Sequence, residues 1–202
     1  VAAAPRDAGA RRGQRRQLCP GDVAVMPLGG LIMMAKPPPA VRSAMEAAVD
    51  HAGLSDRLVS ALFAPERWHQ LLSGIHEDTP RTLETLIGVG NAIVADPVLM
   101  RFDRISSSGG ELCSFLTHGE PPGFADLLSS VRSAMKAHGL DLPFRNRPQV
   151  TISYRAPTDL PSIQIEPVEW VLNSYVLVRR QGNPFKYEEL KRWRLRPRRK
   201  VG

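Results

Sequence analysis

The sequence predicts a two-lobed α+β fold with pseudo-two-fold symmetry, in which mainly antiparallel sheets carry helices on the outside and face a central cleft. Each half of the chain shows helical and strand-like segments in a similar succession. The predicted strands are joined by links that favour antiparallel pairing. Each half also contains one short strand-like segment that matches part of a motif with two key positions two residues apart, at 69 and 71 and at 149 and 151.

The elements of the first half follow from local patterns. An apolar run at 28–34 is ended by three prolines at 37–39, which indicates a buried strand. Apolar residues at helical spacing predict a helix at 40–51. Strands are predicted at 57–63 and 68–75. A further helix begins at Asp78-Thr79-Pro80, where a capping side chain precedes a proline of the first turn.

The second half repeats this plan. Alternating runs predict strands at 98–105 and 111–116, joined by a serine- and glycine-rich hairpin link. Residues 124–138 have the apolar spacing of an amphipathic helix. Three more strands are predicted, at 149–154, 163–165 and 173–178. Gly88-x-Gly90 lies inside a helical pattern and indicates close packing rather than a nucleotide loop.

Composition limits the class of protein. The chain has 202 residues, 43% of them hydrophobic, and a net charge of +7 that is concentrated at its two ends. We expect a disordered basic tail at 1–26, one domain of two lobes at 27–195, and a basic tail at 196–202. Basic ends of this kind are more often solvated tails than specific sites, and they can add salt-dependent, non-specific affinity for RNA. No apolar run is long enough to span a bilayer, so we expect a cytoplasmic protein and no membrane partner.

The cysteines predict neither a disulfide nor a zinc site. Cys19 and Cys113 are far apart and fit no Cys-x-x-Cys spacing. Two reduced thiols are typical of a reducing compartment.

Two segments each contain half of a His-x-Thr-hydrophobic motif. The first, Pro65-Glu66-Arg67-Trp68-His69-Gln70-Leu71-Leu72, has leucine where threonine is expected. The second, Pro148-Gln149-Val150-Thr151-Ile152, has glutamine where histidine is expected. On a strand, residues two apart lie on the same face, so a histidine and a threonine in this spacing can both reach one phosphate. Imidazole can take or give a proton near neutral pH.

With these landmarks the chain resembles the two-histidine phosphoesterase superfamily, in the bacterial branch of 2′-5′ RNA ligases or RNA 2′,3′-cyclic phosphodiesterases. The resemblance covers residues 27–195. It also includes these landmarks: Pro37-Pro38-Pro39, Pro143-Phe144-Arg145, Pro167-Val168-Glu169-Trp170, Tyr175-Val176-Leu177-Val178, Tyr187, Leu190, Trp193 and Leu195. The resemblance implies two lobes, each contributing one His-x-Thr motif to a cleft that needs no metal or cofactor. It also implies that the histidines act as general base and general acid, and that the threonines bind the phosphate.

Only half of these catalytic roles carry over. His69 matches the first histidine and Thr151 the second threonine, and these two are the catalytic candidates. Leu71 cannot donate a hydrogen bond, and the amide of Gln149 can hold a phosphate oxygen but cannot exchange a proton. Losing a general acid or base costs about 10²–10⁴-fold in rate.

Six residues near the two half-motifs are candidates for binding substrate. Gln149 would orient the phosphate. Three arginines flank the second motif and could bind phosphate or a neighbouring nucleotide, and two aromatic residues could stack on a base. The alternatives are a solvated arginine and a packed aromatic ring. These five candidates are Arg145, Arg147, Arg155, Tyr154 and Trp68.

The sequence therefore favours a 2′-5′ RNA ligase-like protein that opens 2′,3′-cyclic phosphates at RNA ends with reduced activity. One alternative is a catalytically inactive homologue that binds nucleotides or RNA ends, and another is a protein-interaction module on the same fold. The expected partners are RNA ends or nucleotide 2′,3′-cyclic phosphates, and we expect a monomer.

Overall fold

The computed structural model describes residues 29–107, 111–140, 146–157, 160–182 and 186–197. Within these ranges the strands form two four-stranded antiparallel sheets. Sheet 1 has the strand order β2-β1-β7-β8, and sheet 2 has the order β5-β4-β3-β6. The strands are β1 (Gly30–Ala35), β2 (Gln70–His76), β3 (Val98–Ser106), β4 (Cys113–Thr117), β5 (Gln149–Ser153), β6 (Ile163–Leu172), β7 (Ser174–Gln181) and β8 (Lys186–Arg194). The predicted two-lobed α+β fold is confirmed.

Four helices cover the two sheets. They are α1 (Pro39–His51), α2 (Leu54–Leu58), α3 (Pro80–Ala92) and α4 (Phe124–Ala137). α1 packs against β6 of sheet 2, and α2 packs against α1. α3 contacts β7 and β8 of sheet 1, while α4 contacts α3 and β2. The helices therefore bury one face of each sheet in a common apolar core.

The start of α3 shows how local sequence sets an element. The Thr79 side chain accepts a hydrogen bond from the Thr82 N–H at 3.1 Å, and Pro80 occupies the first turn, where no N–H is needed. Near the other end of this helix, Gly90 lies against the Trp193 ring, where an added Cβ would come within 2.4 Å of the indole. The Tyr175 hydroxyl donates to the Gly90 carbonyl at 2.7 Å. The packing role predicted for this glycine is confirmed.

Two predicted elements need correction, and one strand was missed. Residues 57–63 are not a strand, because Leu54 and Leu58, one helical turn apart, are both buried by α2, and a 3-10 turn follows at Val59–Ala61. β6 continues past Pro167, which an edge strand tolerates because its outer N–H groups need no partner. β8 was not predicted, because Trp193 is its only buried residue and charged residues stand on both of its faces.

Sheet 1 also carries apolar residues outside the main core. They form a small apolar cluster of Ile32, Met34, Val176 and Val178 with Leu71, Ile75 and Tyr187 packed against it. This cluster lies beside the site described below.

The tail predicted at 1–26 lies outside the described residues, as does 198–202. Across the part of the chain that the structure covers, no helix combines the length and apolar character needed to cross a bilayer.

Candidate active site at the junction of the two sheets

The edge strands β2 and β5 meet where the two sheets come together, and the side chain of Gln70 joins them. Its Nε2 donates to the carbonyls of Arg147 and Leu71, both at 2.9 Å. Its Oε1 accepts from the backbone N–H of Gln149 at 2.8 Å. The buried amide of Gln70 therefore takes the place of a backbone peptide group between the two strands.

We expect Gln70→Leu to lower the free energy of unfolding by up to about 1–3 kcal/mol for each partly buried backbone group that it leaves without a partner. Those groups are the Arg147 carbonyl and the Gln149 N–H. Urea unfolding measures the loss, and Gln164→Leu, at an exposed glutamine of β6, is the matched control. Equal stability of the two variants would contradict this role of Gln70.

Strand alternation places both half-motifs on one cavity. Because the Gln70 side chain is committed to the junction, His69 and Leu71 on either side of it face the cleft. On β5, Gln149 and Thr151 face the same space, while Val150 and Ile152 are fully buried in the core. The resulting space, the junction cavity, has a volume of about 300 Å³. It is lined by His69, Gln70, Leu71, Leu112, Asn146, Arg147, Gln149, Thr151 and Tyr154.

His69 is held as a neutral imidazole. Its Nδ1 lies within hydrogen-bond distance of the Arg67 carbonyl, which can only accept, so Nδ1 carries the proton and Nε2 keeps its lone pair. The pKa of His69 is lowered to about 4, chiefly by burial; the hydrogen bond to the Arg67 carbonyl opposes this shift, and the charge of Lys36 adds to it. At neutral pH this side chain is therefore a proton acceptor.

Two contacts of His69 were not predicted from the sequence. The Tyr187 ring meets the imidazole edge to face, with centroids 5.3 Å apart. Ala35 pairs with Gln70 in the antiparallel sheet. Lys36, which follows Ala35, is therefore a neighbour of His69, which precedes Gln70. Sequence reasoning missed both because the contacts depend on strand register. The only signal for Tyr187 was its place among the landmarks of the resemblance.

Thr151 and Leu71 differ in what they offer to a ligand. The Thr151 hydroxyl lies 3.1 Å from the Ser114 hydroxyl, and when Ser114 donates, the hydrogen of Thr151 is free for another acceptor. Leu71 instead packs on the apolar cluster of sheet 1. The polar contacts in the junction cavity therefore come mainly from the β5 side.

The other predicted binding residues have different outcomes. Gln149, Arg147 and Tyr154 line the junction cavity, and the half-exposed Tyr154 ring is supported edge-on by Phe63 at 4.8 Å. Arg155 is exposed and is not part of the lining. Arg145 lies outside the described residues.

The prediction that Trp68 stacks on a base is wrong. Its ring is 1% exposed, its Nε1 donates to the Phe63 carbonyl at 3.1 Å, and it packs on Phe115 in the core. The physical reason is strand alternation, which turns the residue next to His69 to the opposite face.

No other described histidine replaces the missing one. His118 is 90% exposed beside Asp103 and lines a separate cavity of about 580 Å³. His76 is buried on β2 and does not line the junction cavity. A third cavity, of about 690 Å³, lies between α1 and β6. These two spaces are larger than the junction cavity, but neither contains a residue of the half-motifs.

The possible metal ligands are the described His, Cys, Asp and Glu side chains. Among the described residues, no group of three His, Cys, Asp or Glu side chains could hold a metal ion. Cys113 is buried with a free thiol.

No protein-family profile matches this chain, and no curated protein sequence matches it. Solved structures do match. TT0787 of Thermus thermophilus superposes with a TM-score of 0.65 at 21% identity, over 83% of this chain and 98% of that one.

Structures of E. coli LigT are similar to the same extent. The complex with NADP+ has a TM-score of 0.67 at 16% identity, over 82% of this chain and 97% of LigT. The complex with 3′-AMP has a TM-score of 0.67 at 15% identity over the same shares, and other LigT structures contain ATP or phosphate. This chain therefore has the two-lobed fold of E. coli LigT, as its resemblance to the two-histidine phosphoesterases implied.

Proposed function

We propose that this protein binds RNA ends carrying a 2′,3′-cyclic phosphate and opens the cyclic phosphate slowly, without a metal or cofactor. The observation that carries the proposal is the junction cavity, in which His69 and Thr151, from half-motifs far apart in the sequence, line one space together. The E. coli LigT structures contain ligands of this chemistry, among them 3′-AMP and phosphate.

The surroundings of the cavity favour an anion. Arg147 is in the lining, Lys36 stands beside His69, and Arg180 is close enough to act on the pKa values of Tyr154 and Tyr187. Positive charge around a cleft raises the local concentration of an anionic ligand. In the proposed complex the Thr151 hydroxyl and the Gln149 amide donate to the phosphate oxygens, and the terminal base lies on the exposed face of Tyr154.

The proposed reaction has one acid/base side chain. Nε2 of His69 takes a proton from a water molecule, whose oxygen attacks phosphorus and forms the new P–O bond. One ring P–O bond breaks, and the leaving ribose oxygen takes its proton from solvent, because Gln149 has none to give. His69 then returns its proton to solvent. The product is a phosphomonoester with a free hydroxyl. Without a positioned acid we expect a rate about 10²–10⁴-fold below that of a two-histidine site.

Thr151→Val tests the proposed site. Removing a hydrogen bond to a charged phosphate costs about 1.5–3 kcal/mol, so we expect kcat/KM for a ribonucleoside 2′,3′-cyclic phosphate to fall about 10- to 150-fold. Ser114→Ala is the matched control, since it removes the same Ser114–Thr151 contact and leaves the Thr151 hydroxyl in place.

Three outcomes separate the candidate functions. Equal losses in Thr151→Val and Ser114→Ala would limit Thr151 to packing and contradict the proposed site. Binding of a ribonucleoside 3′-phosphate by calorimetry without any turnover favours an inactive RNA-end binder, the role to which Gln149 points. A wild type that neither binds nor hydrolyses nucleotides favours an interaction module.

We propose that the protein acts in the cytoplasm, where the free thiol of Cys113 stays reduced.

A further inference from the structure

Another cavity lies next to the junction cavity, along sheet 2. This side cavity has a volume of about 380 Å³ and shares Asn146 and Arg147 with the junction cavity. Beyond these two residues it runs past Leu116 and Pro148 to Arg104. The two cavities therefore lie side by side, and a ligand longer than one nucleotide could extend from one to the other past Asn146 and Arg147.

The chemistry of the side cavity suits a nucleic acid strand. Arg104 and Arg147 supply two positive charges against the single carboxylate of Glu120. Leu116 and Pro148 supply an apolar surface on which a base or ribose can pack. Basic groups that follow a backbone, together with apolar surfaces for bases, are the pattern of single-strand binding grooves.

Arg104 has donors available for a phosphate. The half-buried guanidinium donates from Nη2 to the Thr117 carbonyl at 3.3 Å, which orients the group. A guanidinium carries five N–H groups in a planar fork, so further donors remain. Asn146, at the point where the cavities join, has a buried Nδ2 without a hydrogen-bond partner among the described residues. A phosphate or base oxygen nearby would give it one.

We propose that the side cavity binds the nucleotide upstream of the terminal one, with Arg104 contacting its phosphate, so that the preferred substrate is an oligoribonucleotide rather than a mononucleotide. This inference rests on the proposed function, because it takes the cyclic phosphate to lie in the junction cavity. The RNA strand would then run from the terminal ribose in the 5′ direction, past Arg147 and toward Arg104.

The test compares two substrates in the full-length protein. One is a ribotrinucleotide that ends in a 2′,3′-cyclic phosphate, and the other is the mononucleoside 2′,3′-cyclic phosphate. We expect the wild type to have the higher kcat/KM on the trinucleotide. Arg104→Ala should lower that value about 10-fold, the cost of one charge-assisted contact, and leave the mononucleotide value unchanged. It should also reduce the slope of log affinity against log salt by about 0.7.

The control variant is Arg101→Ala, which removes an exposed arginine of the same strand that lines a different cavity. Arg104→Gln keeps much of the side-chain length and serves as the second variant should Arg104→Ala unfold at a lower temperature. Equal effects of the Arg101 and Arg104 changes, or a wild type without preference for the longer substrate, would overturn the inference and leave the proposed function standing. Failure to bind or turn over either substrate would overturn both.

Discussion

Replacing Gln149 with histidine and Leu71 with threonine is expected to raise kcat/KM for a ribonucleoside 2′,3′-cyclic phosphate about 10²–10⁴-fold. The new imidazole would stand on the β5 side of the junction cavity, across from His69, and would give a proton to the leaving ribose oxygen. The hydrogen bond from the backbone N–H of Gln149 to Gln70 does not depend on the side chain at 149, so the strand is expected to keep its position.

Two single variants separate the contributions. Leu71→Thr alone should give a small gain at most, because it adds a phosphate donor but no acid and loses contact with the apolar cluster of sheet 1. Gln149→Asn keeps an amide at this position and should give no gain in kcat/KM. Cyclic phosphate hydrolysis measures activity, and thermal unfolding checks that each variant is folded. A folded double variant with no gain would exclude the junction cavity as the place of reaction.

The second large effect concerns His69 itself. His69→Gln is expected to lower kcat/KM about 10²–10⁴-fold, since glutamine cannot accept the proton of the attacking water. Burial lowers the pKa of His69 to about 4, so the imidazole is neutral, and competent as a base, above that pH. The wild-type kcat/KM should therefore be lost only as the pH falls through about 4, well below the usual range of histidine.

A pH profile of kcat/KM between about 3.5 and 8 distinguishes this role from the opposite one. If His69 acted as the general acid, its protonated form would be needed, and activity would fall as the pH rises above about 4. His118→Gln, at an exposed histidine away from the junction cavity, should leave the profile unchanged. Wild-type activity retained in His69→Gln would rule out the proposed base.

The two half-motifs could be predicted from sequence because their geometry is local. Residues two apart on a strand share a face, and this is how His69 with Leu71 and Gln149 with Thr151 came to line one space. The same rule, applied one residue earlier, would have placed Trp68 in the core. Thr79 and Pro80 predicted the start of α3 for a similarly local reason.

The features that could not be predicted from the sequence depend on pairing between distant segments. The contacts of His69 with Lys36 and Tyr187 require the registers of β1, β2, β7 and β8, which no local pattern encodes. β8 itself is an edge strand whose charged residues hide the alternation by which strands are recognised. The joining role of Gln70 was missed because a buried glutamine between two strand ends looks like any polar strand residue.

The order of strands in the two sheets has a consequence for assembly during synthesis. All strands of sheet 2 lie between Val98 and Leu172, whereas sheet 1 combines β1 and β2 with β7 and β8 from the far end of the chain. A ribosome releases the chain from its N-terminus, so sheet 2 can be complete while β1 still lacks its neighbour β7. The half of the site that carries Thr151 is then finished first. The half that carries His69 is complete only after β1 pairs with β7, which is far away in the sequence. Pairing between distant segments is a slow step in folding.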